Sequence, residues 1–156
     1  MNYELTKFTW NIATQDHRRE VIALEQSLLA ALGDQNMALA LPVQNWFAQG
    51  MYARALSIPK DCVLTGAIHR QDHLSILLKG EMTITSEYGP QRIRAGDVFV
   101  TRAGAKKAGF AHEDSVFLTV ERTDETTEAA AQEQLVTNDY ESFLKEYACQ
   151  PQLSQA

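Results

Sequence analysis

From Leu39 to Thr123 the chain never runs far without a turn signal. Met51–Ile58 is stopped by Pro59, His73–Lys79 ends at Gly80, and Gly89-Pro90 separates Met82–Glu87 from Gln91–Arg94. Cys62–His69 lies among these, and Val98–Thr101, Lys107–Ala111 and Ser115–Arg122 follow. Met82–Glu87 alternates, with Met82, Ile84 and Ser86 on one side and Thr83, Thr85 and Glu87 on the other. Such short, turn-bounded runs predict strands, and many of them in series predict a sandwich or barrel.

The flanks have a different period. Val21, Leu24, Leu28 and Leu32 recur at helical spacing, and Arg18, Arg19, Glu20 and Glu25 mark wetter positions. Thr14 or Asp16 suits the start of this helix and Gly33 its end. It either packs on the domain or makes a dimer contact. Beyond Asp124, Ala129–Ala131 favours helix, and Tyr140, Phe143, Leu144 and Tyr147 recur at helical spacing until Pro151. That helix is expected to cover an open edge or a barrel mouth. The predicted organisation is a helical segment over 1–38, a β-barrel over 39–123, and a helical segment with a tail over 124–156.

A chain of 156 residues suits one such domain. Its net charge of -6 argues against a nucleic-acid partner, and its longest basic string is Lys106-Lys107 with Arg102 nearby. Cys62 and Cys149 have no zinc-like spacing and are read as reduced thiols. No apolar run approaches the ~18 residues of a membrane helix, and Met1–Trp10 lacks the apolar centre of a signal peptide. The expectation is a cytoplasmic protein.

Two motifs in the barrel region resemble those of the cupin superfamily, the RmlC-like jelly rolls. The resemblance covers about Tyr52 to Glu121. In Gly66–Gly80, with Gly80 fixing the register, His69 falls at the second histidine of the first cupin motif and His73 at its glutamate, while Ala67 takes the place of the first histidine. Upstream, Asp61 stands where the family usually has glycine. In Gly96–Lys107, Gly96, Asp97 and Gly104 match the second motif, Arg102 replaces its proline, and Lys107 replaces its metal-binding histidine. The glycines are explained by tight turns that need positive φ. The string Lys107–Val116, with His69 and His73, is also similar to small cupin-like proteins of phage and prophage genomes. That likeness implies a phage-encoded accessory protein in a host cytoplasm. The fold expected is mainly β, a single cupin double-stranded barrel with flanking helices.

His69 and His73 are four apart, so on one strand they share a face, and the cupin register points that face inward. Imidazole pairs bind iron, nickel or zinc, but two ligands make a weak site. The alternatives are a divalent metal on His69 and His73, and a metal-free polar pocket. His112 is a third metal candidate; its odd separation from Lys107 turns it to the other face, at a hairpin turn where Asp114 is available to hold its tautomer. Lys107, if inward, gives a cationic or proton-shuttling cluster suited to an anionic ligand. Arg102 is a candidate anion clamp, and Tyr52 a candidate pocket hydroxyl. Three readings follow: a binding module for a small anionic molecule, a metal-dependent cupin enzyme of dioxygenase or isomerase type, and a structural oligomer with a vestigial pocket. A homodimer is expected as the commonest assembly.

Overall fold

The alternation of His73–Lys79 resolves into a strand whose buried residues step from polar to apolar: His73, Ser75, Leu77. This gradient organises the barrel. The computed structural model describes residues 9–10, 15–32, 41–86 and 89–148. Along it run β1 (Thr9–Trp10), α1 (Gln15–Leu32), β2 (Val43–Ala48), β3 (Met51–Ile58), β4 (Val63–Thr65), β5 (Ile68–His69), β6 (His73–Lys79), β7 (Glu81–Ser86), β8 (Gly89–Arg94), β9 (Val98–Thr101), β10 (Ala108–Ala111), β11 (Ser115–Glu121), α2 (Glu128–Leu135), β12 (Val136–Thr137) and α3 (Tyr140–Ala148).

Two sheets face each other, one in the order β1-β9-β6-β11-β3-β2 and the other β4-β10-β7-β8, with β12-β5 as a separate pair. All pairings except β1 with β9 are antiparallel. This is the jelly-roll barrel the turn pattern predicts, flanked by helices. Between the sheets, Ile58, Leu77, Met82, Ile84, Ile93, Phe99 and Ala111 form the core.

The register lays the inward residues of the large sheet in rows. Thr101 pairs with His73, and Glu121 with Tyr52, which pairs with Phe47. The next row joins Phe99, Ser75, Thr119, Arg54 and Asn45. A third joins Leu77, Phe117, Leu56 and Val43. Polar chemistry therefore collects at one end of the barrel and the apolar core at the other.

Several details depart from the sequence reading. Cys62–His69 is two strands, because Gly66 N–H bonds the Lys107 carbonyl at 2.9 Å and the chain then leaves the small sheet. β2 is hidden in the sequence because its apolar residues are interleaved with Gln44 and Asn45. The flanks also contribute strands, β1 against β9 and β12 against β5. Arg18 is buried rather than wet, its guanidinium 3.1 Å from the Tyr140 ring centroid. Glu25 also serves docking, accepting from Lys106 at 2.9 Å and Thr65 at 2.7 Å. Thr14 and Gly33 lie outside the described residues, and Asp16 lies within α1. At the cupin-like turns, Gly80, Gly96 and Gly104 all have positive φ, and so does Asp61 (φ 64), which occupies the family's glycine position.

Candidate metal and ligand site

His69 ends β5 and His73 opens β6, and the turn between them brings the imidazoles together at a tilt, with centroids 4.1 Å apart. Arg70 fixes that turn. Its Nη1 donates to the Glu133 carbonyl at 2.9 Å and the Val136 carbonyl at 2.5 Å, and its Nε to Glu146 at 3.0 Å. The His69 strand is thus riveted to α2, β12 and α3. Asp72 completes the frame by pairing with Arg102 and accepting from Ala103 N–H at 2.9 Å, which ties the turn to the 102–107 loop.

The third member of the cluster comes from β11. Glu121 is buried, and its Oε1 lies 2.7 Å from His69 Nδ1. The ligand atoms of His69, His73 and Glu121 lie within 4.8 Å of one another. The cluster is unsatisfied by protein groups: His69 Nδ1, His73 Nε2 and Glu121 Oε2 are buried without a hydrogen-bond partner. The 2.7 Å approach between His69 and Glu121 is therefore a close contact whose angle does not make a hydrogen bond. His73 Nδ1 lies 3.4 Å from the Gln71 carbonyl, a contact that only the protonated nitrogen favours. That tautomer leaves the Nε2 lone pair free. Burial first, then the nearby His69 and Lys107, pushes the His73 pKa down to about 2, so the ring is neutral at pH 7.

Buried polar atoms without partners are costly in an ordinary core. Two imidazoles and a carboxylate with buried, unpartnered atoms this close together form a donor set that fits a first-row divalent metal. The residues present thus suit the group that the cupin likeness implies, through a different third ligand. In such a set Glu121 would stand in for the family ligands that Ala67 and Lys107 replace.

Lys107 lies one layer below. Its Nζ donates to Thr101 Oγ1 at 2.9 Å and sits 5.6 Å from the ring centroids of both Phe99 and Phe117. The residue as a whole keeps some exposure, but its ammonium end is enclosed. Burial lowers its pKa to about 7, against the raising effect of Glu121. Thr101 also bonds Ser75 Oγ at 2.7 Å.

The remaining sequence candidates lie elsewhere or are engaged. Tyr52 is buried beside Glu121 in the sheet, but its hydroxyl donates to Asn45 Oδ1 at 2.6 Å and stands 3.4 Å from Gln132 Nε2, with the ring stacked on Phe47. Arg102 has its guanidinium on Asp72 and is half exposed, so its clamp is already filled by a neighbour. His112 is outside the cluster, bonded to Thr83 Oγ1 at 2.6 Å and packed edge-on to Phe110. Asp114 does not hold it; that carboxylate accepts from Lys60 N–H at 2.9 Å. Glu121 was the residue missed. Its one signal was an acid at an inward-alternating position of Ser115–Glu121.

No family model matches the chain, and no curated protein matches it. Solved structures do. KdgF from Halomonas sp. is 18% identical over 56% of this chain and 84% of its own, with a TM-score of 0.48. A cupin-2 domain protein from Shewanella frigidimarina is 15% identical over 65% of this chain and 92% of its own, with a TM-score of 0.44. A conserved protein of unknown function from Streptococcus pyogenes is 22% identical over 55% of this chain and 76% of its own, with a TM-score of 0.45. These are likenesses of fold.

Proposed function

We propose that the barrel is a metal-dependent enzyme site for a small anionic molecule, with His69, His73 and Glu121 as metal ligands and Lys107 beside them. The observation that carries this reading is the convergence of three residues, His69, His73 and Glu121, each with a buried atom that meets no hydrogen-bond partner in the protein. Two histidines and one carboxylate suit iron(II) foremost, with nickel or zinc as alternatives. Three protein ligands leave coordination positions for a substrate.

A bound metal would supply polarisation of a substrate oxygen and, as iron, access to oxygen chemistry, consistent with a dioxygenase or isomerase. The chain's own residues do the rest. Lys107 Nζ meets the negative charge of the substrate and, with a pKa of about 7, is suited to hold or release a proton near neutrality. Phe99 and Phe117 keep water from its far side. Arg70 and Asp72 hold the histidine turn in place.

The simple binding module remains the outcome if metal is present without turnover. A vestigial pocket is disfavoured, because a buried, incompletely paired carboxylate beside two unsatisfied imidazoles is costly unless something occupies the site. The Lys107–Val116 string supports a phage-encoded accessory protein acting in a host cytoplasm. Among the described residues no helix is long and apolar enough to cross a membrane.

The test is elemental analysis of untagged protein after incubation with iron, nickel or zinc. Near-stoichiometric metal in the wild type, lost in His69→Ala, His73→Ala and Glu121→Gln, is expected. No retained metal in the wild type overturns the reading and leaves the metal-free anion pocket.

A further inference from the structure

We infer that Arg54 and Asn45 form a second anion subsite in the barrel, occupied by the Glu128 carboxylate in the free protein and by a carboxylate of the ligand in the complex. The inference rests on the reading of the barrel as a small-anion site and gives the ligand a class: a compact dianion such as a dicarboxylate.

Arg54 stands on the inward face of β3, between Thr119 on β11 and Asn45 on β2. Its side chain is 28% exposed, so solvent and small ligands can reach the guanidinium. Its Nε is buried without a hydrogen-bond partner, and it pairs with Glu128 Oε1 only at 3.8 Å. Charge-assisted N–H···O bonds close to about 2.7–2.9 Å. Glu128 is thus near enough to neutralise the guanidinium and too far to satisfy it.

Asn45 completes the cradle. Its Oδ1 accepts from the Tyr52 hydroxyl at 2.6 Å, which orients its amide so that Nδ2 donates to Glu128 Oε2 at 2.8 Å. The arrangement presents a guanidinium and an amide N–H to one carboxylate. Glu128 is an easily displaced occupant: it is the first residue of α2, and its side chain is 47% exposed. Releasing it to water costs little.

Arg54 and Glu121 are diagonal neighbours across the β3–β11 pair, a relation that puts such residues about 7–8 Å apart. A short dianion can therefore reach from the His69–His73–Glu121 cluster to Arg54. Its second charge would replace that of Glu128.

Calorimetric titration of malonate, succinate and glutarate, with propionate as the single-carboxylate control, tests this on the metal-incubated full chain. At least one dicarboxylate is expected to bind the wild type more tightly than propionate. Arg54→Met is expected to weaken it about 10–100-fold and Arg54→Lys by less, with propionate unchanged. Glu128→Gln, an exposed substitution that leaves the fold intact, is expected to tighten it several-fold by removing the competing charge. Absence of dicarboxylate binding, equal affinity in wild type and Arg54→Met, or weaker binding in Glu128→Gln overturns the subsite. Metal content of the same samples separates the two readings: Arg54-dependent binding without metal keeps the subsite and removes the metal-dependent enzyme, whereas retained metal without Arg54 dependence does the reverse.

Discussion

Glu121 closes on His69 across the mouth of the barrel, Oε1 to Nδ1 at 2.7 Å, without completing a hydrogen bond. A carboxylate normally settles next to an imidazole by accepting its N–H. Here His69 Nδ1 and Glu121 Oε2 stay without hydrogen-bond partners, and His73 Nε2 on the neighbouring, tilted ring is a third unpartnered atom. The arrangement costs stability in isolation and becomes favourable when a cation occupies the convergence point.

Metal is therefore expected to stabilise the fold. At a free concentration about 100 times Kd, binding to the native state alone contributes about 2.7 kcal/mol. For a domain of this size that raises Tm by roughly 5–10 °C. Thermal melts of chelator-treated protein with and without added iron(II), under anaerobic conditions, read this directly. Glu121→Gln should abolish the shift while leaving a folded protein, since it removes a buried charge without changing shape.

Lys107 makes stability depend on pH. Its pKa is about 7 in the fold against 10.5 for the free side chain. Between those values the unfolded chain binds the proton and the native state does not, so native stability rises with pH across that window. Below pH 7 both states are protonated and the contribution is constant. His73 works lower down: with its pKa near 2 in the fold and 6.5 when free, stability falls as pH drops below 6.5. Urea unfolding of metal-free protein between pH 7 and 10.5 should show a slope approaching one proton, about 1.4 kcal/mol per pH unit. Lys107→Met should flatten that limb and leave the acid limb in place. An unchanged slope in the variant would show that the ammonium group is not enclosed.

The barrel was legible because strand alternation and turn chemistry are local. Gly80 fixed the register that puts His73 at an inward position, and Asp61 at positive φ shows that the register holds upstream as well. The site was only half legible, because its other half is made by pairing. Nothing near Glu121 in the chain announces a histidine partner; the β6–β11 register brings it there. Arg54 was hidden for the same reason, and it takes meaning only from Asn45 on β2 and Glu128 on α2. Arg18 was misread because helical charge patterning does not foresee that an aromatic from α3, Tyr140, will cover it.

Gly104 links the fold to the site. Its N–H bonds the His69 carbonyl at 2.9 Å, its φ is +81°, and an added Cβ would lie 2.6 and 2.8 Å from the Phe143 ring. Gly104→Ala must therefore strain the backbone and displace α3, at a cost of about 2–4 kcal/mol. Gly96→Ala has a similar φ but open space around the new methyl group, so only the backbone penalty of about 1 kcal/mol is expected. Chemical denaturation of the pair separates the clash from the strain. Gly104→Ala should also lower metal retention, because it moves the loop that holds His69, whereas Gly96→Ala should not.

The large sheet is apolar on its outer face as well as inside. Its register aligns Val100, Leu74, Val120, Ala53 and Trp46 in one outward row across five strands, with Val98, Ile76 and Leu118 beside it. Leu74 is 42% exposed and Trp46 50%, and these two rows carry no charge. A sheet with one wet face alternates apolar and polar residues; apolar residues on both faces call for a second covering layer. The homodimer expected for this chain would supply it, sheet face against sheet face, since a two-fold axis pairs one patch with its own copy. Sedimentation velocity should then give a dimer for the wild type and a monomer for Leu74→Asp, with Leu29→Asp on the exposed side of α1 leaving the dimer intact. The opposite pattern, dissociation only in Leu29→Asp, would move the interface to the helix and leave the outer sheet face without a role in assembly.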